Sequence, residues 1–258
     1  AKDFNGGSIS SAEQMINGKV SGVQIMSNNG SPPASNPIRI RGGASLNASN
    51  DPLIVVDGVP IESGGISGSS NPMSMINPAD IESMTVLKDA SSTAIYGSRA
   101  SNGILLITTK KGGKDRVRAS FVTTNSISIK TKTTDMLTAG QYRDVVNAHG
   151  TALQRSLLGN ASTNWMDEIF RTAFATDNNV SVSGRAGFMP FRVSLGYTNQ
   201  NGILKTDKME RYSGSVVLTP SFFDDHLRLT LNAKGAINKN RFADAGTIYN
   251  ASSFNPTV

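Results

Sequence analysis

Residues 79–113 read ADIESMTVLKDASSTAIYGSRASNGILLITTKKGG, and the fold is decided here because the local signals agree with one another. Ile81 to Leu87 mixes Met84, Val86 and Leu87 with Glu82, Ser83 and Thr85, the pattern of a half-buried strand. Asp89 stands where it can cap a short helix carrying Ala90, Ala94 and Ile95, and Gly97 stands where it can stop that helix. Gly103 then opens Ile104-Leu105-Leu106-Ile107, apolar at every position, as in a strand covered on both faces. Sixteen residues separate Leu87 from Ile104, enough for a crossover between parallel strands. A small mixed sheet with a packed helix is the expectation.

Upstream, Ser10 and Glu13 have capping-box spacing before a brief helix ending near Gly18, and Val20 to Met26 reads as a strand. Asn28 to Pro37 is turn-rich and leads into Ile38-Arg39-Ile40-Arg41, whose alternation gives a strand one cationic face. Leu53 to Val56 reads as a buried strand ended by Asp57-Gly58, a strong tight-turn pair. The segments 42–52 and 62–72 are long polar loops.

Past Lys114 the period changes to two over long stretches. From Arg116 to Ile129, the residues Val117, Ala119, Phe121, Ile127 and Ile129 share one face, while Arg116, Arg118, Ser120, Thr124, Ser126 and Ser128 share the other. The split recurs around Val180/Val182, Phe191/Val193/Leu195/Tyr197 and Tyr212/Val216/Leu218, with Val217 an exception, and again at Leu227/Leu229/Leu231/Ala233. The strand cations Arg116, Arg118, Arg185, Arg192, Arg228 and Lys234 all fall on the polar side. A soluble sandwich also alternates. Strands of roughly 9 to 11 residues can cross a bilayer when tilted, and outer-membrane barrels alternate short inner turns with long outer loops. Here GFMP and PSFFDD are the short joints, NQNGILKTDKME is a longer one, and a long segment at about 130–176 follows the first strand. Within it, Thr138 and Gln141 signal a helix that Gly150 stops, and Trp165, Ile169 and Phe170 mark a second amphipathic piece.

The phrases IRIRGGASLNASNDPLIVVDGVPI at 38–61 and INPADIESMTVLKDASSTAIYGSRASNGILLITTKKG at 76–112 closely resemble the plug domain of TonB-dependent outer-membrane transporters of the SusC/RagA family. NWMDEIFRTA, VSVSGRAG and FRVSLGYTNQNGILKTDKMERYSG resemble the opening of that family's barrel. The implied fold is an α+β plug domain, a small mixed sheet with short helices, over residues 1–113, followed at 114–258 by about five antiparallel strands of an incomplete transmembrane β-barrel. Five strands close no barrel, since a plug-filled lumen takes about 22, so the chain reads as a fragment.

The resemblance further implies energy-coupled nutrient import across the outer membrane of a Gram-negative bacterium. Its partners would be a TonB-type protein, a SusD-like surface lipoprotein, outer-membrane lipid and an oligosaccharide or peptide substrate. Arg39, Arg41, Asp57, Glu82 and Arg99 would seat and gate the plug, the two arginines of the alternating strand meeting wall carboxylates. Asn47, Asn50, Glu62 and Asn71 would face substrate from the plug loops, and the cationic strand face would line the lumen. Two alternatives stay open: a secreted or surface β-rich binding or adhesion module, and a siderophore or cobalamin receptor.

Composition narrows the classes. There is no cysteine, and His149 and His226 stand apart, so neither a disulfide framework, a metal site nor a histidine base is signalled. Asp51, Asp57 and Asp80 sit in turn contexts, where capping and turn formation explain them. No catalytic residues and no cofactor are expected. Residues 1–113 balance eight basic with eight acidic residues, and 114–258 carry seventeen against eleven, the whole excess of six. Without a basic block or an aromatic platform, nucleic acid is not an expected partner.

Overall fold

The computed structural model describes residues 12–26, 31–32, 36–40, 50–61, 73, 76–89, 94–113, 116–224, 226–244 and 246–258. Two strands, β1 (Val23–Ile25) and β2 (Ile38–Ile40), form an antiparallel ribbon with Val23 opposite Ile40. Beside it lie β3 (Leu53–Val56), β4 (Val59–Ile61), β5 (Ile81–Leu87) and β6 (Ile104–Thr109), in spatial order β4-β3-β6-β5. The β3–β4 hairpin turns on Asp57 (φ 51°) and Gly58 (φ 89°), the left-handed pair that a two-residue hairpin requires.

The sheet is mixed, but its parallel pair is not the one the sequence suggested. β6 runs parallel to β3 and antiparallel to β5, with Leu87 opposite Ile104 and Ile81 near Thr109. The 88–103 connection therefore returns to the end of the sheet it left, and its length goes into packing rather than crossing. Turns of 3-10 helix over Ala94–Ala100, broken at Gly97 (φ 63°), bring Ala100 and Tyr96 against Leu53, Val55 and Ile104. The proposed cap at Asp89 precedes residues 90–93, which lie outside the described residues, as does Ser10.

A second core joins the ribbon to the sheet. Ala12, Met15 and Ile16, from a 3-10 turn at Ala12–Ile16, pack with Ile38, Ile40, Ile54, Val56, Ile81, Leu105 and Ile107. Burying each such aliphatic side chain contributes about 1.5–3 kcal/mol, so ribbon and sheet form one lobe.

After Thr109 a short segment leads to a meander of five strands: β7 (Arg118–Ser128), β8 (Ala173–Ala186), β9 (Met189–Asn201), β10 (Lys208–Leu218) and, last, β13 (Leu231–Arg241). Between β10 and β13 lies a minimal hairpin, β11 (Ser221–Phe222) with β12 (Leu227–Arg228). This corrects the expected fifth strand, which does not run from Leu227. Phe223 and Asp224 adopt left-handed φ values of 54° and 50°, which turn the chain there and restart the wall strand at Leu231. Half of the NQNGILKTDKME segment is strand, leaving 202–207 between β9 and β10.

The meander is a single layer with two chemically different faces. Phe121, Ile127, Val180, Leu195, Val216 and Ile237 are exposed on one. On the other, Ser181, Arg192, Ser194, Thr198, Arg211 and Ser215 are buried. Val217 belongs to this second face and is 2% exposed there, which accounts for the break in the sequence pattern. Among the described residues no helix is long and apolar enough to cross a membrane.

The β7–β8 insert folds into α1 (Ala139–His149), α2 (Ala152–Ser156) and α3 (Trp165–Ile169), and α4 (Thr247–Ser253) follows β13. Thr138 and Gln141 form the capping box of α1. Gly150 ends it for a steric reason rather than a left-handed one: its φ is −77°, but a Cβ would lie 2.9 Å from a Val146 methyl.

Truncating Leu105, fully buried in the joined core, should cost about 2–5 kcal/mol. Limited proteolysis of the full-length protein, comparing Leu105→Ala with the parent for cuts in residues 12–109, checks this; unchanged susceptibility would contradict a single joined lobe.

Candidate functional site: the contact between lobe and strand wall

The buried polar face of the meander meets the α+β lobe through side chains that the topology brings together from far apart in sequence. The first contact centres on Asp80. Asn77 accepts a hydrogen bond on Oδ1 from the Ala79 N–H (2.9 Å), which with Pro78 forms the 3-10 turn ending at Asp80. Just past β6, the Lys110 N–H donates to the Asp80 carbonyl (2.8 Å) and the Lys110 Nζ to the Ala79 carbonyl (2.6 Å). Held on both sides, the Asp80 carboxylate projects to the wall. Arg192 Nη2 donates to its Oδ1 at 3.0 Å and Ser194 Oγ to its Oδ2 at 2.5 Å, with Ser215 Oγ 3.5 Å away. Both charged side chains are about 10% exposed, so each is largely without water and depends on the other.

Asn77 makes a further contact in the same place, its Nδ2 donating to Ser213 Oγ (3.3 Å). It lies over Gly196 of β9, where a Cβ would run into the Asn77 amide and stand 2.6 Å from Ser213 Oγ. At Gly112 a Cβ would sit 2.7 Å from the Phe191 carbonyl carbon. These two glycines admit close approach of lobe and wall.

The second contact centres on Asp57. The Thr109 N–H donates to Oδ1 (2.8 Å) and Thr109 Oγ1 to Oδ2 (2.6 Å), fixing the carboxylate across the β3–β6 pair. On β13, Lys234 Nζ (2.6 Å) and Asn232 Nδ2 (2.8 Å) donate to Oδ2. Burial acts to raise the Asp57 pKa, but the bonds from Lys234 and Thr109 outweigh it and hold the carboxyl below its ordinary value of 3.8. Lys110, beside the first contact, is held below its ordinary value by burial and by the Arg192 charge, against the opposing pull of Asp80 and Glu82.

Arg211 of β10 is 1% exposed, and fully buried Glu13 of the lobe acts on it through its charge alone. Arg211 Nη2 donates to Thr198 Oγ1 (3.2 Å) and lies 3.8 Å from Asp177, which accepts from Thr198 at 2.5 Å.

The remaining sequence candidates are placed as follows. Arg39 is half-buried on β2, opposite Gln24, and among the described residues no ion pair joins it to the wall. At the contacts above the polarity is opposite to that expected of Arg39 and Arg41: the lobe supplies carboxylates and the wall supplies cations. Glu82 and Arg99 are exposed. Arg41, Asn47, Glu62 and Asn71 lie outside the described residues, and Asn50 is half-buried just before β3. Among the strand cations, Arg192 and Lys234 reach the lobe, whereas Arg116, Arg118 and Arg185 are exposed. Arg185 donates to the Gly187 carbonyl in the β8–β9 turn (2.6 Å). Arg228 is not on the wall at all; the left-handed turn at Phe223–Asp224 puts it in the β11–β12 hairpin, opposite Ser221.

Sequence reasoning passed over Asp80, Asn77, Glu13, Arg211 and Gly196. Arg211 was within reach of it, because it shares the parity of Ser213 and Ser215 on β10. A turn aspartate such as Asp80 carries no sign of a distant partner.

The description of the family model that matches residues 1–104 is TonB-dependent Receptor Plug Domain. The TonB-dependent receptor SusC of Bacteroides thetaiotaomicron is 50% identical over 257 residues, which is 99% of this chain and 26% of that protein. The chain belongs to the SusC/RagA-type TonB-dependent receptors. The TonB-dependent receptor P3 of Formosa agariphila is 40% identical over 204 residues, covering 79% of the chain and 19% of that protein. A solved structure of the RagAB peptide transporter superposes with a TM-score of 0.81 at 30% identity, covering 94% of this chain and 30% of that one. This SusC/RagA-type chain therefore spans 19% to 30% of the length of these relatives. In their terms its lobe is a plug, and its meander is part of a barrel.

Replacing Asp80 by Ala leaves Arg192 buried without its carboxylate and should weaken plug–wall association by about 3–5 kcal/mol, read as faster plug proteolysis in the full-length receptor. A double-mutant cycle with Arg192→Leu should recover part of that loss. Because the Asp57 pKa is depressed on folding, the stabilisation from this contact is complete above the unfolded carboxyl value and is lost as pH falls through the lower folded value. The 13Cγ shift of labelled Asp57 should accordingly titrate below 3.8, and Lys234→Met should move the midpoint upward; a midpoint above 3.8 in the parent would contradict the contact.

Proposed function

We propose that residues 1–113 and 114–258 are the gate and the first wall strands of an active importer in the outer membrane of a Gram-negative bacterium, carrying oligosaccharides or peptides. The observation that carries this reading is the pairing of plug carboxylates Asp80 and Asp57 with inward-facing Arg192 and Lys234 on a wall whose other face is apolar and exposed. Such a wall suits lipid outside and a polar occupant inside. The plug is seated by polar contacts, which can be exchanged for water or cargo when it moves, while its own apolar core stays intact.

A TonB-type protein supplies the force from the inner side and a SusD-like lipoprotein covers the outer side, with no catalytic role for this chain. Support for the cargo class comes from the similarity to SusC over nearly the whole chain and to a transporter described as carrying peptide. The single-layer meander favours this reading over a soluble adhesion module, because a sandwich would pack its apolar face against a second sheet. Siderophore or cobalamin uptake remains the competing cargo assignment.

The test uses the absence of cysteine from this chain. Asn77→Cys with Ser213→Cys should form a bridge that locks plug to wall in the full-length receptor. Under oxidising conditions cells should take up labelled oligosaccharides or peptides no faster than a strain lacking the receptor, with recovery on reduction and no effect of either single cysteine. Undiminished uptake by the oxidised double variant would overturn plug movement as the gate. Uptake of metal chelates alone would overturn the cargo class.

A further inference from the structure

At the end of the wall opposite the tight β8–β9 turn, the insert, α4 and the segment following it enclose a cleft of about 430 Å3. We infer that this cleft is a binding subsite for a neutral, hydroxyl-rich ring, one unit of an oligosaccharide, recognised by Trp165, Asp135 and neighbouring hydroxyls. The inference rests on the importer reading insofar as that reading puts this end of the wall outside the cell.

The cleft is built before any ligand arrives. Residues 157–165 and 255–258, some ninety positions apart, are clipped together edge to edge. The Ala161 N–H donates to the Thr257 carbonyl (3.1 Å), the Thr163 N–H to the Pro256 carbonyl (2.9 Å) and the Gly159 N–H to Thr257 Oγ1 (2.9 Å). Asn255 Nδ2 donates to the Leu157 carbonyl (3.3 Å), and the Trp165 indole N–H to the Asn255 carbonyl (2.9 Å). Phe254 meets the indole edge-to-face, with centroids 5.1 Å apart and planes at 79°. With its N–H committed and its ring braced, Trp165 is fixed in orientation. A fixed aromatic wall lowers the ordering cost of binding.

The lining selects the ligand. Aromatic surface comes from Trp165, Phe254 and Tyr142, and hydroxyls from Thr133, Thr134 and Ser162. Among the described residues the one ionisable carboxylate lining the cleft is Asp135, which is exposed, and no lysine, arginine or histidine lines it. An anionic ligand would meet Asp135 with nothing to offset it. A pyranose or furanose ring offers what the lining lacks, an apolar C–H face for the indole and an edge of hydroxyls that donate to a carboxylate and exchange bonds with Ser and Thr. The volume falls in the lower part of the range for small-molecule sites, about 300–1,000 Å3, so the cleft holds a terminal portion of an oligomer.

The test uses the full-length receptor in detergent, with saturation-transfer NMR and calorimetry. The probes are neutral gluco-, manno- and fructo-oligosaccharides, with oligogalacturonate and a neutral peptide mixture as contrasts. A neutral oligosaccharide should bind in preference to both contrasts. Asp135→Asn and Ser162→Val should each weaken it about tenfold, and Trp165→Ala should abolish it. Trp165→Phe, which keeps a ring but loses the clip to Asn255, separates stacking from loss of structure and should retain partial affinity. Preference for peptide or for the acidic oligomer, or oligosaccharide binding unmoved by Asp135→Asn and Ser162→Val, would overturn the subsite. Uptake by cells is scored separately. Import that persists while the cleft variants bind normally removes the subsite and leaves the importer, whereas absence of uptake of every cargo in the parent strain removes the importer reading itself.

Discussion

The buried pair of Asp80 and Arg192 is the contact on which the arrangement of the two parts depends. Taking a carboxylate and a guanidinium out of water is costly, and the cost is offset only where geometry and extra hydrogen bonds are good. Here Ser194 and Ser215 supply the extra donors on the wall side, and the 3-10 turn at Pro78–Asp80, held by Lys110 and Asn77, supplies the geometry on the plug side. The result is a contact that fixes the position of the plug against the wall through charge and hydrogen bonds. A greasy interface of the same size would hold the plug as firmly as its own core holds it together.

The Asp57 contact to Lys234 shares that chemistry and is more open to solvent than the Asp80 pair. In both a plug carboxylate faces a wall cation. Part of the basic excess of residues 114–258 is therefore a complement to the plug rather than a surface for an outside polyanion. Plug displacement would uncover Arg192 and Lys234 together, changing the charge of the space it leaves.

Close approach is the second constraint. Gly196 and Gly112 stand where wall and plug backbones or short polar side chains come together, and a methyl group at either would hold the surfaces apart. The polar contacts are short because these two positions are bare. On the opposite face of the wall the side chains are large and apolar, so neighbouring residues on one strand obey opposite rules.

Most of the element pattern was legible in the sequence, because it depends on neighbours two to four residues apart. The period-two alternation marked the wall and its inner face, Asp57-Gly58 marked a hairpin, and the Thr138/Gln141 spacing marked the start of α1, since capping is local. Strand partners were not legible: β6 chose β3 as its parallel neighbour, and the 88–103 connection packed instead of crossing, because such choices are decided by which buried faces fit. The fifth wall strand began later than its alternation suggested, because a turn with two left-handed non-glycine residues intervened. The sequence by itself determined the family, the mixed plug sheet and the antiparallel strands that follow it. Only the tertiary structure decided which carboxylate meets which cation, and that it is the plug that brings the carboxylates. Asp80 and Arg192 are 112 positions apart, and no local rule connects charges at that separation until the chain between them has folded.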